Sequence, residues 1–167
     1  FQGYNLFSSL TARQQLEIVA QWGDGASSRE ARKKADEILD ILGLLKKAHL
    51  RPGELSGGEK QRVAIGRALI KNPDFCFADE PTSALDVSVQ RQVVREMLKL
   101  RELFGTAIVI VTHDIGVVRA MADTVLVLKN GKTVEYGTAD RVLDHPRDPY
   151  TRKLLEAVPK LQRKVRV

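Results

Sequence analysis

Apolar side chains recur at helical spacing through the first third of the chain. Leu16, Ile18 and Val19 predict a helix over residues 10–21. Ala31, Ala35, Ile38, Leu39 and Leu42 predict a second over 29–42, with Ser28 as candidate N-cap and Gly43 as C-cap. The stretch Gly23-Asp24-Gly25-Ala26-Ser27-Ser28 between them reads as a loop. Trp22, near the end of the first helix, is expected in the core, with a place on an exposed docking surface as the alternative. A third helix runs from Ser56 to about Lys71, carries Val63, Ile65, Ala68, Leu69 and Ile70, and stops at Asn72-Pro73. The period then changes. Residues 75–78 are continuously apolar, which predicts a buried strand, and Pro81 ends it. Residues 87–104 return to helical spacing through Val89, Val93, Met97, Leu98 and Leu100, and Gly105 ends them. Residues 106–112 are β-branched and continuous, the pattern of a central strand buried on both faces. A short helix over 115–122 leads to a hairpin of residues 124–129 and 132–136 about Asn130-Gly131. Another short helix over 138–143, a prolyl linker at 144–149 and a helix over 150–157 complete an α/β pattern.

Two stretches carry candidate chemistry. Ser56 with Glu59 three residues on is a capping box, but it encloses Gly57 and Gly58. Consecutive glycines weaken a helix start, and an ordinary cap does not call for them. They leave backbone N–H groups open to a closely approaching anion, which the helix dipole favours. The strand over 75–78 delivers Asp79 and Glu80 at its C-terminal end, where open α/β sheets place groups facing the ligand crevice. Neighbouring residues of a strand point to opposite sides, so one carboxylate can hold Mg²⁺ while the other orients or deprotonates a water. Two solvated acids at a strand end are the plainer alternative. His113 ends the second strand, where it can donate to a phosphate oxygen or cap the next helix.

Composition narrows the classes. A chain of 167 residues, 43% hydrophobic and 29% charged, has material for one core or one lobe of a larger domain. No apolar run approaches the ~20 residues of a membrane span, and Phe1-Gln2-Gly3-Tyr4 lacks the order of a secretory leader. The net charge of +6 and the pI near 9.6 raise nucleic acid as a partner. However, Lys160, Arg163, Lys164 and Arg166 cluster at the end, aromatics are 5%, and no basic stripe interleaves with them. A solvated surface or attraction to an anionic membrane face accounts for the charge, and no nucleic acid is expected. Cys76, the one cysteine, reads as a packed thiol in a reducing cytoplasm.

Taken together, these motifs resemble the ATP-binding-cassette (ABC) ATPases. Leu55-Ser56-Gly57-Gly58-Glu59-Lys60-Gln61-Arg62 is similar to the family signature, and Phe75 to Glu80 to its Walker B strand. Ser83-Ala84-Leu85-Asp86 resembles the D-loop, His113 the switch histidine, and Gln2 the Q-loop glutamine. The resemblance implies a partial P-loop NTPase (RecA-like) lobe with a mostly parallel sheet, plus an ABC-type helical subdomain. The expected division is 1–72 for the helical subdomain with the signature helix, 73–144 for the lobe, and 145–167 for a C-terminal helix and basic tail. It also implies an ATPase subunit of a transporter that works as a homo- or heterodimer with a second ABC ATPase domain and an integral membrane permease. Such a subunit is cytoplasmic and peripheral on the inner face of the membrane. In that scheme ATP is sandwiched between two domains. Asp79 binds Mg²⁺ through water, Glu80 polarises the lytic water, and His113 contacts the γ-phosphate. Gln2 senses Mg²⁺ and the water, Ser56, Gly57 and Gly58 clasp the other subunit's nucleotide, and Asp86 couples the sites.

A phosphate loop, G-x-x-x-x-G-K-[ST], is absent from the sequence. Gly131-Lys132-Thr133 imitates its end, but Leu126 stands where the first glycine belongs. The expectation is a C-terminal part of a nucleotide-binding domain, inactive alone, whose parent is an ATPase. The run from His145 to Leu155 resembles oligopeptide/dipeptide-type importer ATPases, whereas Tyr4-Asn5-Leu6-Phe7 resembles lipoprotein- and macrolide-export systems, so the substrate stays open. The alternatives are an ABC ATPase acting on DNA or ribosomes, or a catalytically inactive ABC module; no heptads or paired cysteines favour the former.

Overall fold

Thr11 opens the first helix with a capping box. Its Oγ1 accepts from the Gln14 amide at 3.3 Å, and Gln14 Oε1 accepts from the Thr11 amide at 2.9 Å, setting α1 at Ala12–Gln21. In the computed structural model, which describes residues 5–22, 25–83 and 85–158, the second helix, α2 (Ser28–Ile41), starts the same way. Its cap is Ser27, one residue earlier than predicted, because Glu30 sits three residues beyond Ser27 and bonds its amide at 3.0 Å. A short 3-10 turn at Leu45–Lys47 and another at Pro52–Glu54 lead into α3, Gly57–Leu69. Leu16, Ala31, Ala35, Leu39, Leu42, Val63 and Leu69 are buried where these helices meet. Trp22 does not join them: it is 75% exposed, against expectation. The apolar stripe of α1 that faces the core runs through Ala12, Leu16 and Ala20, whereas Ile18 and Trp22, four apart, share the outer side.

After α3 come β1 (Phe75–Asp79), α4 (Val87–Phe104) and β2 (Ala107–Val111). The strands pair in parallel, Phe75 opposite Ala107 and Asp79 opposite Val111, with α4 as the crossover. The parallel α/β arrangement matches expectation, but the predicted burial of both strands does not. Among the described residues this sheet holds two strands, and the pleat sends Phe75, Phe77, Val109 and Val111 to a single face that stays 41–61% exposed. Cys76 lies on the half-buried face, and burial pushes its thiol pKa up, as a packed thiol requires.

The chain divides into two compact units, residues 1–112 and 113–167. In the second, α5 (Ile115–Met121) precedes an antiparallel hairpin of β3 (Thr124–Lys129) and β4 (Lys132–Thr138). Asn130 (φ 51°) and Gly131 (φ 73°) are both left-handed, the geometry of a type I′ turn. Helices α6 (Ala139–Asp144) and α7 (Pro149–Glu156) follow, and Val117, Val127, Val142 and Leu143 are buried within this unit. Glu135 of β4 is also buried, its carboxylate accepting from the amides of Arg147 (2.9 Å) and Asp148 (3.2 Å) just ahead of α7. No helix among the described residues is long and apolar enough to cross a membrane.

Candidate functional site

The glycine-opened tip of α3 forms as the sequence predicts. Ser56 Oγ accepts from the Glu59 amide at 3.4 Å, and Glu59 Oε2 accepts from the Ser56 amide at 2.9 Å. Lys47 Nζ holds the other carboxylate oxygen of Glu59 at 2.6 Å, and this bond keeps the Glu59 pKa below the ordinary carboxylate range. Ser56 and Gly57 are exposed. A serine oxygen that accepts one bond can still donate its proton, and the first helical N–H groups have no partner inside the helix. The tip can therefore offer a hydroxyl and backbone donors to an anion. Gly58 has a second reason to be glycine, one that the sequence reading missed. It is buried, and a Cβ built on it would lie 2.2 Å from Val89 Cγ1 of α4.

Asp79 ends β1 with its side chain exposed, and Glu80 follows half-buried. Glu80 has φ 46°, in the left-handed region. The other non-glycine residues of positive φ among the described residues are asparagines, Asn5, Asn72 and Asn130, which tolerate that region as glutamate does not. Its amide donates to the Val111 carbonyl at 2.8 Å, which ties the turn to β2. Beyond it, Ser83 Oγ donates to the Glu80 carbonyl at 3.2 Å, and Gln90 Nε2 of α4 donates to Thr82 Oγ1 at 3.3 Å. Asp86 caps α4: its Oδ1 accepts from Ser88 Oγ (2.6 Å) and from the Ser88 and Val89 amides, and the Ser88 hydroxyl leads the causes that lower its pKa. An aspartate just ahead of an apolar helical run signals such a cap, so this role was available from the sequence.

The start of α4 thus holds two of the predicted pieces, touching the α3 tip through Val89 and the acid-bearing loop through Gln90. Ser56, Gly57, Gly58, Asp79, Glu80 and Asp86 all belong to the first unit. His113 is the first residue of the second unit, exposed and two residues beyond the end of β2. It does not cap α5; Asp114 does, accepting from the Gly116 amide at 2.7 Å and the Val117 amide at 3.2 Å. Gln2 lies outside the described residues. As to metals, no group of three or more His, Cys, Asp or Glu among the described residues could hold an ion. Asp79 is a hard oxygen donor at an exposed strand end. It suits Mg²⁺, which is bound through one or two carboxylates plus water and substrate phosphates.

Comparison with known proteins extends these observations. A family profile described as "ABC transporter" matches residues 1–83, and one described as "Oligopeptide/dipeptide transporter, C-terminal region" matches residues 134–166. The oligopeptide transport ATP-binding protein OppD of Haemophilus influenzae is 41% identical over 151 residues, 89% of this chain and 47% of that protein. The dipeptide transport ATP-binding protein DppF of Escherichia coli is 41% identical over 162 residues, 94% of this chain and 48% of that protein. The chain thus spans about half the length of the curated relatives it matches. Among solved structures, the ATP-binding cassette MJ0796, a dimer in a post-hydrolysis state bound to ADP and Pi, superposes with a TM-score of 0.70 at 38% identity, covering 83% of this chain and 61% of that one.

Proposed function

The chain belongs to the ATP-binding proteins of the ABC transporter family, and from that premise we propose that it supplies the signature tip and the acid loop of a composite ATP site closed between two such domains. Closure on ATP drives a membrane permease, and hydrolysis reopens the pair. Each site draws on both domains. Ser56 Oγ and the Gly57 and Gly58 amides donate to the γ-phosphate of the nucleotide held by the partner domain, at the positive end of α3. Glu80 orients the attacking water and accepts its proton, while His113 donates to a γ-phosphate oxygen. Asp79 would hold Mg²⁺ through water; when bound, the ion neutralises charge on the phosphates. Asp86 fixes the start of α4 where the two sites communicate. Little covalent chemistry is asked of the protein, so positioning and charge carry the catalysis.

The observation that carries this reading is the backbone of Glu80. A glutamate held left-handed at the tip of a parallel strand costs about 1 kcal/mol, and such strain persists where the surroundings over-determine it, commonly at functional sites. The match over residues 134–166 and the OppD and DppF relatives support peptides as the transported class and the cytoplasmic face of the membrane as the location. The test is Glu80→Gln in the full-length protein. Loss of the base should lower turnover by roughly 10²- to 10⁴-fold, while ATP still binds and accumulates a closed dimer visible by gel filtration. Wild-type turnover in that variant removes Glu80 from the role.

A further inference from the structure

A buried ion pair joins the helix that starts at the signature tip to the helix that starts at Asp86. Arg62 Nη1 of α3 lies 3.2 Å from Glu96 Oε1 of α4, and the two residues are only 9% and 7% exposed. Gln92 Nε2 donates to the same oxygen at 3.1 Å, while Arg62 Nε and Glu96 Oε2 are buried with no partner among the described residues. Packing does not ask for such a pair. Desolvation costs several kcal/mol per ion, and apolar residues of similar volume often serve stability as well or better. What the pair adds is register, the best-attested use of buried polar groups.

The register matters because of what the two helices carry. Gly58 meets Val89, and four residues on Arg62 meets Glu96, so the contacts advance in the same direction along both helices. The helices therefore run in parallel along this seam, and their capped starts, Ser56 and Asp86, lie at the same end. A slip of α3 along α4 would move the tip relative to Asp86 and to the loop that Gln90 holds through Thr82.

We propose that Arg62 and Glu96 are positioning residues that lock α3 to α4, so that the tip clasping one nucleotide and the acid loop serving the other move as one body. The proposal rests on the composite-site reading above. The test uses the full-length protein carrying Glu80→Gln, in which ATP-dependent dimerisation is read by sedimentation. Adding Arg62→Met with Glu96→Leu should keep or raise the melting temperature and leave ATP binding to the monomer unchanged, yet weaken the ATP-dependent dimer about tenfold. With Glu80 restored, the same double variant should lose cooperativity in ATP. A merely structural pair would leave both readouts alone, so wild-type dimer affinity and cooperativity in the double variant overturn the proposal. Glu96→Asp, which keeps the charge and shortens the reach by one methylene, gives a second arm that does not require an apolar repacking. It should fold and lose several-fold in dimer affinity, and unchanged affinity again overturns the assignment. If Glu80→Gln alone forms no ATP-dependent dimer, the composite-site reading falls and takes the proposal with it, a result distinct from failure of the pair.

Discussion

A Cβ on residue 58 would stand 2.2 Å from Val89 Cγ1, a distance that no pair of non-bonded carbons tolerates, so the α3 tip and α4 can approach this closely only because residue 58 is glycine. Gly57 differs: it is exposed, and in the composite reading its use is the open backbone it leaves for an anion. The two adjacent glycines, alike in sequence, therefore lack a side chain for different reasons. Gly58→Ala in the full-length protein should cost about 1–3 kcal/mol by overpacking and shift the tip enough to lower turnover. Val89→Ala in the same chain should recover most of both losses, because the added methyl points into the α3–α4 contact. Thermal melts and steady-state ATPase rates check it; a loss of turnover that Val89→Ala leaves untouched would mean that the added methyl acts at the ligand and not through the α3–α4 contact. At this scale Ser56, Glu59, Asp79 and Glu80 were readable as residue types at a spacing. The left-handed backbone of Glu80 was not, because Glu has no preference for that region; the chain around it, above all the Val111 carbonyl, holds it there.

Among the elements, those with local causes were legible, apart from the α2 cap, which was placed one residue late, and those with distant causes were not. The capping boxes at Thr11 and Ser56, the turn at Asn130-Gly131 and the span of α4 follow from residues within a few positions of each other. The burial of β1 and β2 depends on what covers a sheet face, which an apolar run cannot report, and Trp22 depends on which side of α1 meets its neighbours. Glu135 escaped for the same reason: its partners are the Arg147 and Asp148 amides, brought to it by the turn ahead of α7. The Arg147 amide, first among the causes, holds the Glu135 carboxyl below its ordinary value of 4.5. A depressed folded-state pKa means that the contribution is fully present above pH 4.5 and is lost as pH falls below it through the folded value. Glu59 and Asp86 are shifted in the same direction, so the protein should lose stability on acidification. Wild type should melt above Glu135→Gln at pH 7, and the gap should narrow as the pH is lowered past 4.5. A gap that stays constant across that range would deny Glu135 an ionised role.

For the whole molecule, the order of motifs made the family legible, while the missing loop sets what these residues can do by themselves. Gly131-Lys132-Thr133 is the one stretch that imitates a phosphate loop, and the structure accounts for it otherwise: Asn130 and Gly131 turn a hairpin, and Lys132 opens β4. A phosphate loop brings a lysine and a run of backbone N–H groups to the β- and γ-phosphates, most of the favourable charge in such sites. Without it, the composite reading leaves near a nucleotide Asp79 and Glu80, two carboxylates that repel phosphate unless a cation lies between, the imidazole of His113, and the Ser56 tip, which serves a nucleotide held elsewhere. Tip donors alone, exposed and screened by salt, contribute on the order of 1 kcal/mol, against the roughly 8 kcal/mol that a micromolar complex needs. Calorimetric titration of the 167-residue chain with ATP and Mg²⁺ at physiological salt should therefore give no saturable binding below about 1 mM and no phosphate release, whereas a nucleotide-binding domain that carries a phosphate loop should saturate far below that. A micromolar dissociation constant for the 167 residues alone would mean that they hold a phosphate cradle of another kind, and that the division of labour drawn between the Ser56 tip and the Glu80 loop is wrong.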